Sequence, residues 1–560
     1  MEELNNTLKT LKKGKGQDGR GIVAEMYKHS GGNLKQLLLH TINEAIKPEA
    51  IIPEEWKKTQ IMVLFKSGNP MHVKNYRPIS IISILYKIFA TMLGRRLELF
   101  LGPQQSKDQA GFRKGFSTND HMFAASILIE KCQEWNAELW IAAVDYKKAF
   151  DSVEHECIWQ ALKEQGVPQP YIHLMERLYS GQVGQVCLDK QSRIFDILRG
   201  TKQGDPLSSL LFNAVSESIF RRLKAQWHTK KLGVDVGIGE LLTNVRFADD
   251  VLLIADSRAR LKKMLEGLQD ESAKTGLNLH PDKTKVLTNA TISDSQLRIN
   301  NDYVEIIPHK ESVKYLGRKL CMTGMHEAEL DNRIRAAWAT FTRHREELTN
   351  KKYSLYSRLR LFNATVGAAV LYGCESWTLR LDQQRRLKTT QRKMLRAILG
   401  NKRRVLTTSG GSSASEVGTD FDGSTDTDAD LEEELEPWTD FLKRTTRNVE
   451  DRLQASGQEE WLKTWRRKQW QWAGKVVRDT TGKWSQLIFN WCPTTTSRRG
   501  TYRRQARPIK RWEDDFRNFV ETVAYVGSWR ELAADESAWT QYEEVYVKWA
   551  CGHNSRHDCV

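Results

Sequence analysis

Apolar and polar positions follow two rhythms along the chain, a short continuous one and a helical one. Thr59 to Phe65 is a short apolar run that stops at Lys66, and Ser67-Gly68-Asn69-Pro70 then supplies turn chemistry, which predicts a strand and a turn. Pro78 in Asn75-Tyr76-Arg77-Pro78-Ile79-Ser80 excludes helix there, and an amphipathic helix pattern runs on to about Phe100. Ala110 to Gly115 is a basic loop bounded by glycine, and Ser117 to Asp120 can cap the helix that follows. Trp140 to Val144 is a second apolar run, with Asp145 at its end. Arg199 to Asp205 is punctuated by glycine, Pro206 is placed to open a helix, and the apolar face of that helix runs from Leu207 to Leu223. Val245 and Phe247 alternate into two adjacent acids, Asp249 and Asp250, and Val251 to Ala255 is continuously apolar. Two such runs meeting at a polar corner predict a β-hairpin. A helix is expected from about Ala259 to Thr275, then Lys283-Thr284-Lys285, then a second hairpin closed by Tyr315-Leu316-Gly317.

Farther on, Glu327 to Gly400 reads as helices with many exposed Arg and Lys. Ser409 to Glu436 is rich in Ser, Gly, Thr and acid, holds too little apolar surface to bury, and is expected to be a disordered linker. Beyond Trp438 the chain is crowded with Trp and Arg and reads as a separate piece, in which Trp461, Trp465 and Trp472 fall near helical spacing and predict a packed face.

Length and charge narrow the class. A chain of 560 residues exceeds one core, so about three or four domains are expected. Lys and Arg outnumber Asp and Glu by 86 to 70, a net charge of +16 that suits a polyanionic partner. The 8 cysteines are scattered without paired spacing, as in a reducing compartment. No apolar run approaches the roughly 18 residues of a membrane span, and no signal-peptide core stands at the N-terminus, so an intracellular protein without membrane contact is expected.

The chemistry centres on the acids. Asp249 and Asp250 alone could simply make a turn, because Asp is a common turn former. With Asp145 at the end of a neighbouring strand, three carboxylates would converge at one sheet edge. Hard oxygen ligands with open positions suit Mg²⁺, and two such ions about 3.5–4 Å apart serve phosphoryl transfer. Gly14-Lys15-Gly16 lacks the Gly-Lys-Ser/Thr ending of a phosphate loop. Arg498, Arg499, Arg503, Arg504, Arg507 and Arg511 interleave with Tyr502 and Trp512, a composition that neutralises phosphates and offers bases a face to stack on. Cys551, His553, His557 and Cys559 are spaced too tightly for a zinc finger and read as a tail.

Asp145, the loop Gly200-Thr201-Lys202-Gln203-Gly204-Asp205-Pro206-Leu207-Ser208 and Phe247-Ala248-Asp249-Asp250 resemble, in order and spacing, the motifs of a reverse transcriptase. Asn75-Tyr76-Arg77-Pro78-Ile79-Ser80, and Phe-Ala-Asp-Asp in place of Tyr-x-Asp-Asp, are similar to the non-LTR, LINE-type branch over roughly residues 10 to 400. The resemblance implies an α+β right-hand polymerase: an N-terminal extension and fingers at 1–138, palm at 139–322, helical thumb at 323–404, acidic linker at 405–437 and a C-terminal nucleic-acid-binding region at 438–560. It implies an RNA-directed DNA polymerase that uses two Mg²⁺ ions, an RNA template, a DNA primer or target and deoxynucleoside triphosphates. Asp145, Asp249 and Asp250 would hold the metals, and Lys283 would protonate the leaving pyrophosphate. Lys66 and Arg77 would clamp the triphosphate, Phe150 would gate the sugar, and Gln203 and Gly204 would lie along template and nucleotide. Tyr315, Leu316 and Gly317 would form the primer grip. The sequence departs from the family at Lys15-Gly16-Gln17-Asp18-Gly19, where Pro-Gly-Pro usually precedes Asp-Gly, and at Ser209, where Pro is usual. No endonuclease signature is visible, which suggests a piece of a longer polyprotein or a derivative that borrows its nick. An intron-maturase polymerase and a decayed, RNA-binding copy are the alternatives; Phe247 disfavours the first and the intact acids the second. A nuclear location follows if the host is eukaryotic.

Overall fold

Trp140–Val144 is apolar on both faces because it is the inner strand of a six-stranded sheet. It pairs antiparallel with Asp250–Ala255 on one side and with Lys285–Thr288 on the other. The order across the sheet is Gln296–Ile299, Asp302–Ile306, Lys285–Thr288, Trp140–Val144, Asp250–Ala255, Asn244–Phe247. Helices Ser208–Thr229 and Arg258–Ala273 bury Leu211, Phe212, Val215, Leu261, Met264 and Leu265 in the same apolar core as the sheet residues Ala142, Val144, Val251 and Leu253. The computed structural model describes residues 1–66, 68–237, 239–406, 434–493, 510–524 and 527–552.

The described residues form two compact units, one drawn from Met1–Ala124, Lys131–Leu316 and Gly482–Arg504, the other from Ala125–Glu130, Gly317–Thr481 and Gln505–Val560. Within the first, a four-stranded sheet runs in the order Tyr76–Ile81, Lys58–Phe65, Val183–Val186, Phe195–Asp196. Pro78 sits at the edge of it, where a missing N–H costs no ladder bond. Helix Ile84–Leu101 is capped by Ser83, whose hydroxyl accepts from the Tyr86 N–H. Asp18 adds a second restraint, its carboxylate accepting from the N–H groups of Arg20, Ile22 and Ile84 at 3.0 Å each. The Lys- and Gly-rich loop that departs from the family pattern is therefore tied down through Asp18 without its prolines. Ser117 and Asp120 form the expected capping box at the start of Thr118–Glu134.

The stretch after Gly482 also belongs to this first unit. Trp484 opens the helix Trp484–Asn490, is 1% exposed, and donates from Nε1 to the Asp108 carboxylate at 2.7 Å. The Lys131 ammonium donates to the carbonyls of Ile488 at 3.0 Å, Phe489 at 2.7 Å and Trp491, closing the last turn of that helix.

In the second unit one apolar core joins Leu387, Met394, Leu395 and Ile398 to Val449, Leu453, Trp461 and Trp465. Residues before and after the acidic segment thus share a core, and the packing does not divide at 405–437; positions 407–433 lie outside the described residues. Trp461, Trp465 and Trp472 are buried, as their spacing predicts. Trp470 and Trp539 stack at 3.5 Å and exchange hydrogen bonds, each indole N–H donating to the other's carbonyl at 2.9 Å. Beside them Arg466 is buried and paired with Asp515 at 2.6 Å. Cleavage at a protease site placed between 409 and 433 should leave both fragments together, because separating them exposes this shared core. Size-exclusion chromatography in native buffer is expected to show co-elution, and fragments eluting apart would contradict the shared core.

Candidate active site

The register of the sheet decides which side chains meet. The last pair between the two inner strands is Val144 with Val251, so one further step brings Asp145 level with Asp250. The hairpin pairs Phe247 with Asp250 and leaves Ala248 and Asp249 at its tip, Ala248 in the left-handed region at φ 57°. On the other flank Lys285 pairs with Ala143, which brings Lys283 level with Asp145. The Lys283 ammonium stands 3.8 Å from the Asp145 carboxylate. The Asp145 backbone is fixed from the same side: its N–H donates to Thr284 Oγ1 at 3.2 Å, and its carbonyl accepts from the His280 N–H at 2.7 Å.

Burial and neighbouring charge oppose the ionisation of Asp249 and Asp250. Desolvation raises the pKa of Asp249, and the Asp145 charge raises it further. Asp250 is pushed up to about 6, by desolvation first and then by Asp249 and Asp145. Lys66 and Arg77 pull both values back down, so their fields reach the acids. The donor set has the chemistry of a hard divalent cation, which relieves this kind of repulsion. Among the described residues no three His, Cys, Asp or Glu side chains are gathered as a group that could hold a metal ion.

Lys66 and Arg77 come from the Lys58–Phe65 and Tyr76–Ile81 hairpin. The Lys66 N–H bonds the Asn75 carbonyl at 2.8 Å, and Arg77 lies two residues beyond Asn75, so both exposed cations share one face of the hairpin. The glycine loop links this hairpin to the helix after Asp145. The Ser80 N–H donates to the Gln203 carbonyl at 2.8 Å, and the Thr201 N–H to the Phe150 carbonyl at 2.6 Å. Gly204 has φ 111°, and a Cβ there would lie 3.0 Å from the Ser80 carbonyl oxygen; a side chain would strain this approach. Phe150 is half-buried, stacked on Phe212 at 4.4 Å and edge-on to Phe112 at 6.4 Å. Its ring is therefore held on two sides.

Tyr315 is buried, and desolvation and then the Asp250 charge raise its hydroxyl pKa well above the usual value, which places it within electrostatic reach of the acids. Leu316 and Gly317 follow at φ 48° and 76°, two positive values in succession as a type I′ turn requires. Arg498, Arg499, Arg503, Arg504 and Arg507 lie outside the described residues, as do His553, His557 and Cys559. At the described end of that basic stretch Arg511 is half-buried, Lys510 pairs with Asp515 at 2.8 Å, and Trp512 is buried with its N–H on the Glu375 carbonyl at 2.8 Å.

Sequence reading missed the polar groups that hold these parts in place. Lys202, in the glycine loop, is buried with its ammonium on the Trp56 carbonyl at 3.1 Å, and burial lowers its pKa to about 8. Asp205 is buried and accepts from the Tyr86 hydroxyl at 2.6 Å and the Leu207 N–H at 3.0 Å. Arg246, in the strand before the acids, is buried against Glu217 at 2.9 Å, Ser106 at 2.9 Å and the Phe220 ring at 4.2 Å. Its one visible signal is a charge inside an otherwise apolar strand.

Residues 57–320 match the family model described as reverse transcriptase (RNA-dependent DNA polymerase). The chain is 27% identical over 285 residues to a retrovirus-related Pol polyprotein from a type-2 retrotransposable element of Drosophila melanogaster, covering 49% of this chain and 26% of that protein. It is 28% identical over 309 residues to a putative uncharacterized transposon-derived protein of Caenorhabditis elegans, covering 54% and 95%. It is also 24% identical over 370 residues to the RNA-directed DNA polymerase from mobile element jockey of Drosophila melanogaster, covering 62% and 38%. The retrotransposable-element polyproteins it matches are spanned over only 24% to 39% of their length.

Arg246→Met should destabilise the first unit by about 3–5 kcal/mol, because it leaves Glu217 buried without its partner. Adding Glu217→Gln should recover part of that loss. Urea unfolding of the single and double variants measures both, and an additive double variant would show that the pair is not coupled.

Proposed function

We propose, on the premise that residues 57–320 form a reverse transcriptase domain, that this chain copies RNA into DNA as the polymerase of a non-LTR retrotransposon, extending a DNA 3′-hydroxyl with deoxynucleotides. The observation that carries the reading is the strand register that sets Asp145 level with Asp250, with Asp249 at the adjoining tip. Asp145, Asp249 and Asp250 would hold two divalent cations, Mg²⁺ by the hardness of the donors, and these would supply positive charge at the attacking and leaving oxygens.

The remaining work falls to side chains. Lys66 and Arg77, sharing one face of their hairpin and electrostatically felt by the acids, suit the triphosphate: a point charge and a planar fork. Lys283, exposed beside Asp145, can hand a proton to the departing pyrophosphate. Phe150, braced by Phe212 and Phe112, would present its ring to the sugar and crowd out a 2′-hydroxyl. Gln203 and Gly204 would lie along the template and the incoming nucleotide, and Tyr315, Leu316 and Gly317 would steady the primer end. The cation-rich stretch from Arg498 to Arg511 suits phosphate backbone without sequence readout. Action on target DNA would take place in the nucleus of a eukaryotic host; among the described residues no helix is long and apolar enough to cross a membrane.

Asp145→Asn or Asp249→Asn should abolish primer extension while leaving the thermal melt intact, since each removes a charged ligand and relieves local repulsion. Extension near the wild-type rate with Mg²⁺ as the sole metal would overturn the assignment. Phe150→Val should lose at least tenfold, about 1.4 kcal/mol, of the preference for deoxynucleotides over ribonucleotides. The comparison is made by single-nucleotide extension with each sugar, and unchanged discrimination would make Phe150 a packing residue only.

A further inference from the structure

The tip that carries Asp249 is made of a residue in an unfavourable conformation. Ala248 sits at φ 57°, and for an L-residue the left-handed region costs about 1–2 kcal/mol. Such a conformation persists only where its surroundings impose it. Here one buried side chain bonds both polar groups of the residue's backbone. Gln109 is 0% exposed, and its Oε1 accepts from the Ala248 N–H at 2.9 Å while its Nε2 donates to the Ala248 carbonyl at 3.4 Å. Oε1 also accepts from the Gly111 N–H at 2.8 Å. A carboxamide is the side-chain group that can take an N–H and give to a C=O of the same residue at once, and glutamine has the reach.

The loop that bears Gln109 runs alongside the strand before the acids. The Arg246 N–H donates to the Asp108 carbonyl at 2.7 Å, and the Ala110 N–H to the Arg246 carbonyl at 2.9 Å. The approach is so close that a Cβ on Gly111 would fall 2.3 Å from the Ala248 nitrogen. The loop is braced behind. The Asp108 carboxylate accepts from Lys224 at 2.7 Å and from Trp484 at 2.7 Å, Asn213 donates to the Gly111 carbonyl at 2.9 Å, and Arg113 to the Gln109 carbonyl at 2.8 Å.

We propose that Gln109 is a positioning residue for nucleotide addition, its buried carboxamide clamping Ala248 in the left-handed conformation that aims Asp249 and Asp250. The catalytic consequence rests on the polymerase reading; the clamp itself does not. Gln109→Met keeps the length and removes all three contacts. Hydrogen exchange followed by mass spectrometry should show the 244–255 hairpin tip exchanging at least tenfold faster in the variant. Single-turnover primer extension should show a rate constant at least tenfold lower, with burst amplitude and template–primer affinity unchanged. A merely structural role would lower amplitude or the melting temperature and leave the rate alone, and that result overturns the proposal. If the variant does not fold, the wild type still decides: an Ala248 amide exchanging as fast as an unstructured one overturns the clamp, and a protected one supports it. A wild type that extends no primer defeats the polymerase reading and leaves the exchange result to judge Gln109.

Discussion

The candidate site depends on the backbone pairing that sets Asp145 level with Asp250 and leaves Asp249 at the adjoining tip. Burial first, and then the neighbouring acids, raise the pKa of Asp249 and of Asp250 where the sheet holds them. The restraint is the antiparallel ladder from Trp140 with Ala255 to Val144 with Val251, buried on both faces. A slip of one residue would turn every side chain of Asp250–Ala255 to the opposite face, so burial fixes the register and the register fixes the acids. The apolar core around Val251 and Leu253 holds the strands in that register.

Behind the ladder the structure relies on buried polar anchors. Arg246 with Glu217, Asp108 with Lys224, Asp205 with Tyr86 and Lys202 with the Trp56 carbonyl each tie a loop or strand end to an element far away in sequence. Buried pairs of this kind add little net stability, but breaking one is costly because a charge is left without a partner. That asymmetry makes them suited to fixing geometry. They sit around the loops at 105–115 and 200–205.

The parts of this site that the sequence reveals are those with local signatures. The apolar run ended by Asp145, the alternation into Asp249 and Asp250 and the glycine loop all appear where period and turn chemistry place them. The partners that lock them are not legible, because nothing local says that Gln109 reaches Ala248, 139 residues away, or that Lys202 turns inward. Gly111 was visible as a glycine in a basic loop, but its reason, the 2.3 Å approach to Ala248, exists only once the loop lies on the strand. The packing units escaped for the same cause. A polar segment announces a break in the chain, yet Trp461 and Ile398 on its two sides occupy one core.

Among the tryptophans and arginines after Trp438, burial decides what a side chain is free to touch. Trp470 stacks on both Trp539 and Tyr546, Trp470 and Trp539 give their indole donors to each other's carbonyls, and Arg466 is enclosed with Asp515. A buried indole with a satisfied N–H has nothing left to offer a base. A guanidinium paired in the interior cannot neutralise a phosphate. What distinguishes a binding arginine is therefore freedom from acid, and the run from Arg498 to Arg507 has no Asp or Glu among its neighbours in sequence, whereas Lys510 and Arg511 stand beside Glu513, Asp514 and Asp515. Lys510, on the acid-rich side, is paired with Asp515 at 2.8 Å.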